Sequence, residues 1–445
     1  MEITKFFATD YIDYGAYDNV RKIASVIDGQ KISMRKCLYT VLDKNISNPI
    51  KVSQLMSKVS EHTNYLHGEQ SLYGVIVGMA QDFPDSNNIP YFQREGSFGS
   101  VLMKDAAASR YIFTCKEKYL DLIFRKEDTA LIGNQIFEGD KIEPEFYVPI
   151  IPMLLVNGSL GLSTGYMQKI LPRNPKDLIK WILYKLEGKK YNKAILPWYN
   201  KFKGSVDQGQ TDNSFFVKGR YNKINDYTIE IDELPVGYDL KGYLKVLDQL
   251  VDDKKIRDYD DFSENGEFKF KVHFFRNQGL DPKTCDIYSE LKLVKPITEC
   301  YVSLFKNNRV KEYNNIEEIL EDYYSVRYEF YIKRKEYLIA DLEKNIRLNA
   351  SKYTFIKSVI EGILEIRNKP EEYIVEKLGS IKNIIKHNDS YDYLLNMPMS
   401  SITKERYLKL KDQLIELRNE YKKLVSTSIE DMWKQDLTDL LKAFK

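Results

Sequence analysis

Cysteine and histidine are scarce, with four of each in 445 residues. Cys37, Cys115, Cys285 and Cys300 lie far apart and form no Cys-x-x-Cys pair. That excludes a zinc ribbon and a disulfide framework and fits a reducing compartment. Cys115, close to Tyr111 in sequence, reads as a half-buried thiol. A long apolar run is missing as well. The most apolar stretch, 148–167, is broken by Pro149, Pro152, Asn157, Gly158, Gly161 and Gly165. A membrane helix needs about 20 mostly apolar residues, so this stretch reads as buried core and no membrane partner is expected. The N-terminus, MEITKFFATDYID, is acidic and has no apolar core, so it is no secretory signal. An excess of positive charge is also missing: 67 Lys+Arg stand against 65 Asp+Glu, a net charge of +2. That excludes a chain coated all over with nucleic acid, but not a local basic surface. Residues 20–36 hold Arg21, Lys22, Lys31, Arg35 and Lys36 against Asp28 alone, whereas Glu2, Asp10, Asp13 and Asp18 come before.

What is present, 43% hydrophobic and 30% charged residues, reads as a soluble globular chain of two to four domains. Three textures follow one another. Up to about Lys126, short helices alternate with glycine turns. Val52 to Val59 reads as one helix and Glu69 to Gln81 as the next, with Leu72, Ile76, Met79 and Ala80 on one face. The pair suits a helix-turn-helix unit. From about Leu131 to Ile297, alternating strands at Thr228–Asp232 and Phe268–Phe274 mix with helices near Pro175–Leu186 and Leu240–Asp252, an α/β texture. From Ile316 the chain is helical. Tyr407, Leu410, Leu414, Leu417, Tyr421 and Leu424 are spaced 3, 4, 3, 4, 3, a heptad seam. A compact stretch with Pro370, His387, Pro398 and Met399 separates the two long helical runs, as a knob would between the arms of an antiparallel coiled coil.

The densest local cluster is Arg94-Glu-Gly-Ser-Phe-Gly-Ser, followed by Ala106-Ala-Ala-Ser-Arg110-Tyr111-Ile-Phe-Thr. With 33 tyrosines in the chain, Tyr111 alone decides nothing; its wider setting does. Asp28-Gly-Gln-Lys31-Ile-Ser-Met-Arg35-Lys36 resembles the "DGLKPVxRR" segment of the type IIA DNA topoisomerase cleavage domain. His67-Gly-Glu-Gln-Ser-Leu-Tyr73 resembles its "HGExSL" segment. Asp82-Phe83 with Ser86-Asn87-Asn88, and Arg110-Tyr111-Ile-Phe-Thr, resemble its eukaryotic and viral branch. Glu143 to Gly158, Thr164 to Ile170, Ile229 to Pro235 and the helical 395–424 segment follow in the same order. The resemblance spans nearly the whole chain.

It implies an α+β multidomain protein. A winged-helix cleavage domain would occupy 1–130, an α/β tower domain 131–310, and a coiled-coil arm with a dimerising C-gate globule (about 367–402) would occupy 311–445. It implies Tyr111 as the nucleophile on DNA. Arg110, His67, Arg21, Lys31 and Arg35 would support it at the active site, and a guanidinium fork suits phosphate. Ile170 would be the wedge that bends DNA, with Lys36, Lys22, Gln70, Ser71, Lys104, Ser97 and Ser100 as further DNA contacts. The partners implied are double-stranded DNA, a second copy of the chain, and an ATPase/TOPRIM chain that uses ATP and holds Mg2+. No metal ligands are expected on this chain: Glu138-Gly-Asp140 and Asp258-Tyr-Asp260-Asp261 lack the TOPRIM setting. The chain begins at a methionine and ends soon after Trp433, which narrows the resemblance to the medium subunit of T4-like phages and to a bacterial cytoplasm, near the nucleoid. Gln70 and Gly74 replace the quinolone-anchoring hydroxyl and acid of bacterial enzymes; Met34 and Arg173 also depart from the pattern. Two rival readings are a non-catalytic DNA clamp, which the Arg110–Tyr111 pair disfavours, and a truncated gyrase chain, which the "RYIFT" wording disfavours.

Overall fold

The computed structural model describes residues 3–276, 279–281, 283–366, 369–398 and 402–444. Met1, Glu2, Met399 and residues 367, 368, 400 and 401 of the expected globule lie outside the described residues. Two compact units are present, Met1–Arg327 with Lys434–Lys445, and Tyr328–Trp433. They do not follow the three-part division by texture. Arg327 is buried and its guanidinium donates to Asp128 at 2.8 Å, and Arg125 stands 3.8 Å from Asp436. These pairs bind the segments around 327 and 436 into the first unit.

In the first unit, a short helix Ile3–Ala8 precedes the helices Asp10–Lys22, Ile32–Asp43, Val52–His62 and Glu69–Ala80. Leu72, Ile76, Met79 and Ala80 line the buried side of the last, as their spacing requires. Val148 to Val156 is buried throughout. The second half of the apolar stretch is not: Leu160, Leu162, Tyr166 and Met167 are exposed on a two-stranded ribbon, Ser159–Ser163 against Tyr166–Ile170. That corrects the reading of 148–167 as continuous core.

Further along, a four-stranded sheet runs in the order Asp258–Asp261, Phe270–His273, Thr228–Glu233, Arg220–Asn225. Ile229 and Ile231 alternate inward with Phe270 and Val272, and the helix Leu240–Asp252 packs Tyr243, Leu247 and Leu250 onto them. A three-stranded sheet, Val294–Thr298, Ser214–Lys218, Ser205–Gln208, lies in the same unit. All paired strands among the described residues are antiparallel. The α/β reading of this region therefore becomes an antiparallel sheet carrying a helix, which hairpins can build without crossovers.

The second unit pairs residues 328–360 of the helix Ile316–Ile360 with the helix Lys404–Ser426. Lys335 Nζ donates to the carbonyl of Thr427 at 2.7 Å, Tyr421 donates to Glu343 at 2.8 Å, and the Tyr353 and Tyr407 rings stack with centroids 4.7 Å apart. The partners run in opposite order, so the helices are antiparallel. Tyr407, Leu410, Leu414, Leu417, Tyr421 and Leu424 form the covered face of the second helix, as the seam requires. Phe355, Ile356, Leu364, Leu378, Tyr391 and Leu394 close a separate small core.

Candidate nucleic-acid interface

The loop carrying Arg110 and Tyr111 is strapped along its length. Glu95 and Phe113 exchange both backbone hydrogen bonds, at 3.1 and 2.9 Å. Ala107 N–H donates to Ser97 O at 2.9 Å, Ser53 N–H to Ser109 O at 3.1 Å and Val52 N–H to Ile112 O at 3.0 Å. Tyr73, on the Glu69–Ala80 helix, donates its hydroxyl to the carbonyls of Ala106 and Ala107, 3.2 and 2.8 Å away. Gly99 adopts φ +84°, and a Cβ there would meet the Lys104 carbonyl oxygen at 2.5 Å, so only glycine fits this turn. The loop tip is therefore fixed while its aromatic ring stands in solvent: Tyr111 is 66% exposed. Its backbone N–H donates to Ala108 O at 2.9 Å, and the Arg110 guanidinium lies 5.2 Å from its ring centroid.

A second feature is a cavity of about 400 Å³ lined by Tyr17, Arg21, Lys22, Lys36, His67 and Ser71, among others. Arg21 stacks over the Tyr17 ring at 5.4 Å. Lys22 pairs with Asp18 at 3.0 Å. Lys36 donates to Glu143 at 2.9 Å and to the Thr63 carbonyl at 2.7 Å. Shielding by the cavity walls, and the charges of Arg21 and Lys36, hold the His67 imidazole below its ordinary value of 6.5. The ring is thus neutral at pH 7 and can donate or accept one hydrogen bond.

Five of the expected site residues, Arg21, Lys22, Lys36, His67 and Ser71, thus meet in one cavity. Arg110 and Tyr111 are not among its lining residues, and no described hydrogen bond, ion pair or ring contact joins Tyr111 to these residues. Gln70 and Ser97 are exposed. Ser100 lines a different cavity, beside Arg94 and Lys201. Lys104 is engaged by Asp85 at 2.9 Å. Lys31 is half-buried, donates to the Leu160 carbonyl at 2.6 Å, and burial pushes its ammonium below the usual value.

Two expectations need correction. Arg35 is only 4% exposed, with Nε 2.8 Å from Asp28 Oδ2 and a second donor 3.2 Å from Oδ1. Burial opposes its charge and the Asp28 carboxylate overcomes that, leaving it above its usual value. Asp28 also accepts from Gln30 N–H at 2.9 Å and Tyr147 N–H at 3.0 Å. Arg35 therefore neutralises a buried carboxylate that organises the local backbone, and has no free face for phosphate. Ile170 is 2% exposed. It packs inward at the end of its strand and is not presented as a wedge in this conformation. Arg173, noted as a departure, is buried against Glu299 in a bidentate pair.

Tyr73, Tyr17 and Glu143 were given no role by the sequence, although the motifs contain Tyr73 and Glu143. A hydroxyl-bearing ring amid the apolar helix EQSLYGVIVGMA was the one signal for Tyr73. Among the described residues, no group of three or more His, Cys, Asp or Glu converges to hold a metal. Glu138 and Gly139 form the tip of a hairpin, both at positive φ, and Asp260 pairs with His273 at 3.0 Å. No described helix is long and apolar enough to cross a membrane.

Comparison with known proteins places these features in context. The sequence model of the family of DNA gyrase/topoisomerase IV A-type subunits matches residues 21–438. The chain is 33% identical over 446 residues to a mitochondrial DNA topoisomerase 2 of Dictyostelium discoideum, covering 98% of this chain and 34% of that protein. It is 33% identical to DNA topoisomerase 2 of Saccharomyces cerevisiae, covering 98% and 34%. The chain thus spans about a third of the length of these relatives. The crystal structure of the DNA-binding, cleavage and re-ligation domain of Plasmodium falciparum topoisomerase II matches with a TM-score of 0.88 at 33% identity. That match covers 99% of this chain and 64% of the other.

Proposed function

Because the chain belongs to the family of DNA gyrase/topoisomerase IV A-type subunits, we propose that it cleaves and religates DNA within an ATP-dependent type II topoisomerase, with Tyr111 as nucleophile. The observation that carries this reading is a phenol both exposed and held by a strapped loop, with a guanidinium beside it. Fixing a nucleophile in place lowers the entropic part of the barrier.

The step follows from the residues. The Tyr111 hydroxyl gives up its proton and its oxygen attacks a backbone phosphorus. A P–O bond to tyrosine forms, the P–O3′ bond breaks, and the departing oxygen takes a proton to become a 3′-hydroxyl. The bond energy stays in a 5′-phosphotyrosyl ester, so reversal reseals the strand without new energy. Arg110 stabilises charge on the phosphate in the transition state. Arg21 and Lys22 hold flanking phosphates, and neutral His67 positions one by a hydrogen bond; Lys36, expected as a DNA contact, is engaged by Glu143 and the Thr63 carbonyl instead.

Two copies would each cut one strand, paired through the helical second unit, while a TOPRIM domain holds Mg2+ and an ATPase domain uses ATP. The described residues of this chain offer no donor set for that metal, and no step given to them passes through it. In the finer reading these domains sit on a separate polypeptide, as in T4-like phages, although the relatives named above are much longer single chains. Plasmid decatenation by this chain mixed with candidate ATPase/TOPRIM polypeptides tests that arrangement; activity only in a fused chain would exclude it. The nucleophile is tested by Tyr111→Phe, which should abolish the covalent protein–DNA adduct. An adduct that persists in this variant sinks the proposal.

A further inference from the structure

The loop that leads to Arg110 and Tyr111 has its tip seated in a core remote in sequence. Val101 is 8% exposed and Leu102 half-buried, and both pack against the sheet-and-helix core that includes Ile229, Ile231, Tyr243 and Phe270. Phe83, shortly after the helix Glu69–Ala80, joins them there. Met103, the next residue of the loop, is 65% exposed. Backbone contacts hold the insertion. Leu240 N–H, in the first turn of the helix Leu240–Asp252, donates to Leu102 O at 3.3 Å, and a first-turn amide has no partner within its own helix. Behind the tip the loop is closed. The Gln81 side-chain amide donates to Phe98 O and Lys104 O at 2.8 and 3.0 Å, and Ser100 N–H donates to Met103 O at 2.8 Å. Arg94 and Lys201 both reach Asp82, at 2.5 and 2.6 Å, so the approach to the loop is tied to the segment before the strand Ser205–Gln208.

A loop closed in this way moves as one piece, because its tip sits in a packed interior with few voids to absorb a shift. The Ser97–Ala107 hydrogen bond closes its root, and the residues that follow carry Arg110 and Tyr111. The straps from Val52, Ser53 and Tyr73 hold this loop to the helices beside it. The seat at Val101 instead holds it to the sheet Asp258–Asp261, Phe270–His273, Thr228–Glu233, Arg220–Asn225 and its helix. The other buried members of that core all come from residues 229–293, so the seat can loosen while sheet and helix keep their own packing. We propose that Val101, with Leu102, is a positioning residue for strand cleavage: seated in this core, it sets where the Tyr111 oxygen stands against a bound duplex. Misplacing a reacting group by about 1 Å can cost roughly a hundredfold in rate. Val101 itself touches no DNA in this reading, so its loss slows attack without weakening binding. This inference rests on the DNA-cleaving reading above.

The test compares Val101→Ser, Val101→Ile and Met103→Ser in the full chain, mixed with the ATPase/TOPRIM polypeptide and a supercoiled plasmid. Val101→Ser puts a hydroxyl into the apolar seat. At saturating DNA the covalent adduct should form about tenfold to a hundredfold more slowly, with DNA affinity unchanged. The amides of residues 106–112 should exchange hydrogen about tenfold faster, while those of the helix Leu240–Asp252 stay protected. Val101→Ile, apolar and close in size, should keep the rate, and Met103→Ser, at the exposed neighbour, should match the unmodified chain. Faster loop exchange in Val101→Ser with an unchanged adduct rate overturns the proposal, because the seat would then hold the loop without setting the attack. So does an equal loss of adduct, affinity and helix protection, because Val101 would then only hold the core together. If the unmodified chain forms no adduct, the cleavage reading itself falls. An adduct that the unmodified chain forms and Val101→Ser forms as fast sinks this inference alone.

Discussion

Replacing Arg35 by methionine separates a structural role from a catalytic one. Arg35→Met keeps the stem and most of the volume but leaves Asp28 as an uncompensated carboxylate that is fully buried. Breaking a buried pair by removing one partner costs roughly 3–5 kcal/mol. At about 1.36 kcal/mol per factor of ten, the amides of the helix Ile32–Asp43 should exchange hydrogen roughly a hundredfold to several thousandfold faster. Hydrogen exchange read by mass spectrometry measures this segment directly, without assuming that the whole chain unfolds in one step. Adding Asp28→Asn removes the stranded charge, so the double variant should recover part of the lost protection. The two changes are thus coupled rather than additive. If Arg35→Met instead keeps full protection and loses only DNA cleavage, Arg35 acts on DNA and the structural assignment is wrong.

Two further predictions follow from the interface. The His67 signal in a proton NMR titration should have its midpoint below 6.5, and Arg21→Ala should raise it. Because the folded-state value lies below the unfolded one, the unfolded chain binds more protons in that window, and the contribution to stability falls as pH drops through it. A midpoint at or above 6.5 would contradict the arrangement. Tyr73→Phe removes two hydrogen bonds to the loop before Arg110, worth about 1 kcal/mol net. Adduct formation should fall about five- to tenfold with DNA affinity unchanged, and equal losses in both would point to a general loss of fold.

Regular elements were the most legible part of the sequence. The helices at Pro175–Leu186 and Leu240–Asp252 have the bounds that their apolar period and flanking residues suggest. The covered face of the Lys404–Ser426 helix is the heptad seam. Strand direction was less legible, since alternation fixes which residues face inward but not how strands pair, and so an antiparallel sheet was read as α/β. Among site residues, a local basic cluster was visible, yet its members divide by burial. Arg21 and Lys22 line a cavity while Arg35, on the helix that follows, is consumed by Asp28. Charge counting cannot make that division, because Asp28 is one acid among five bases and its partner is set by the fold. Ile170 and Leu160 show the same limit in apolar form. Both are apolar residues in one short ribbon, and the polar anchors at Gln168 and Thr164 decide which of them faces solvent.

That no described contact joins Tyr111 to the basic cavity leads to the last prediction. A free phenol is ionised to about one part in a thousand at pH 7, and Arg110 is the one cation described against its ring. Stabilising the attack therefore needs the cavity groups brought close, either by DNA spanning both features of one chain or by a second chain. A two-fold dimer permits the second route, with the cavity of each protomer serving the tyrosine of its partner. Mixing chains that carry Tyr111→Phe with chains that carry Arg21→Ala and His67→Ala distinguishes the two. If the cavity acts across the dimer, one site of each mixed dimer holds both defects and the other holds none, so the mixture nicks single strands although neither parent does. If the cavity acts within its own chain, both sites of the mixed dimer are damaged and the mixture stays as inactive as its parents. We expect nicking, since no described contact joins Tyr111 itself to the cavity groups, and an inactive mixture would refute the route through the partner.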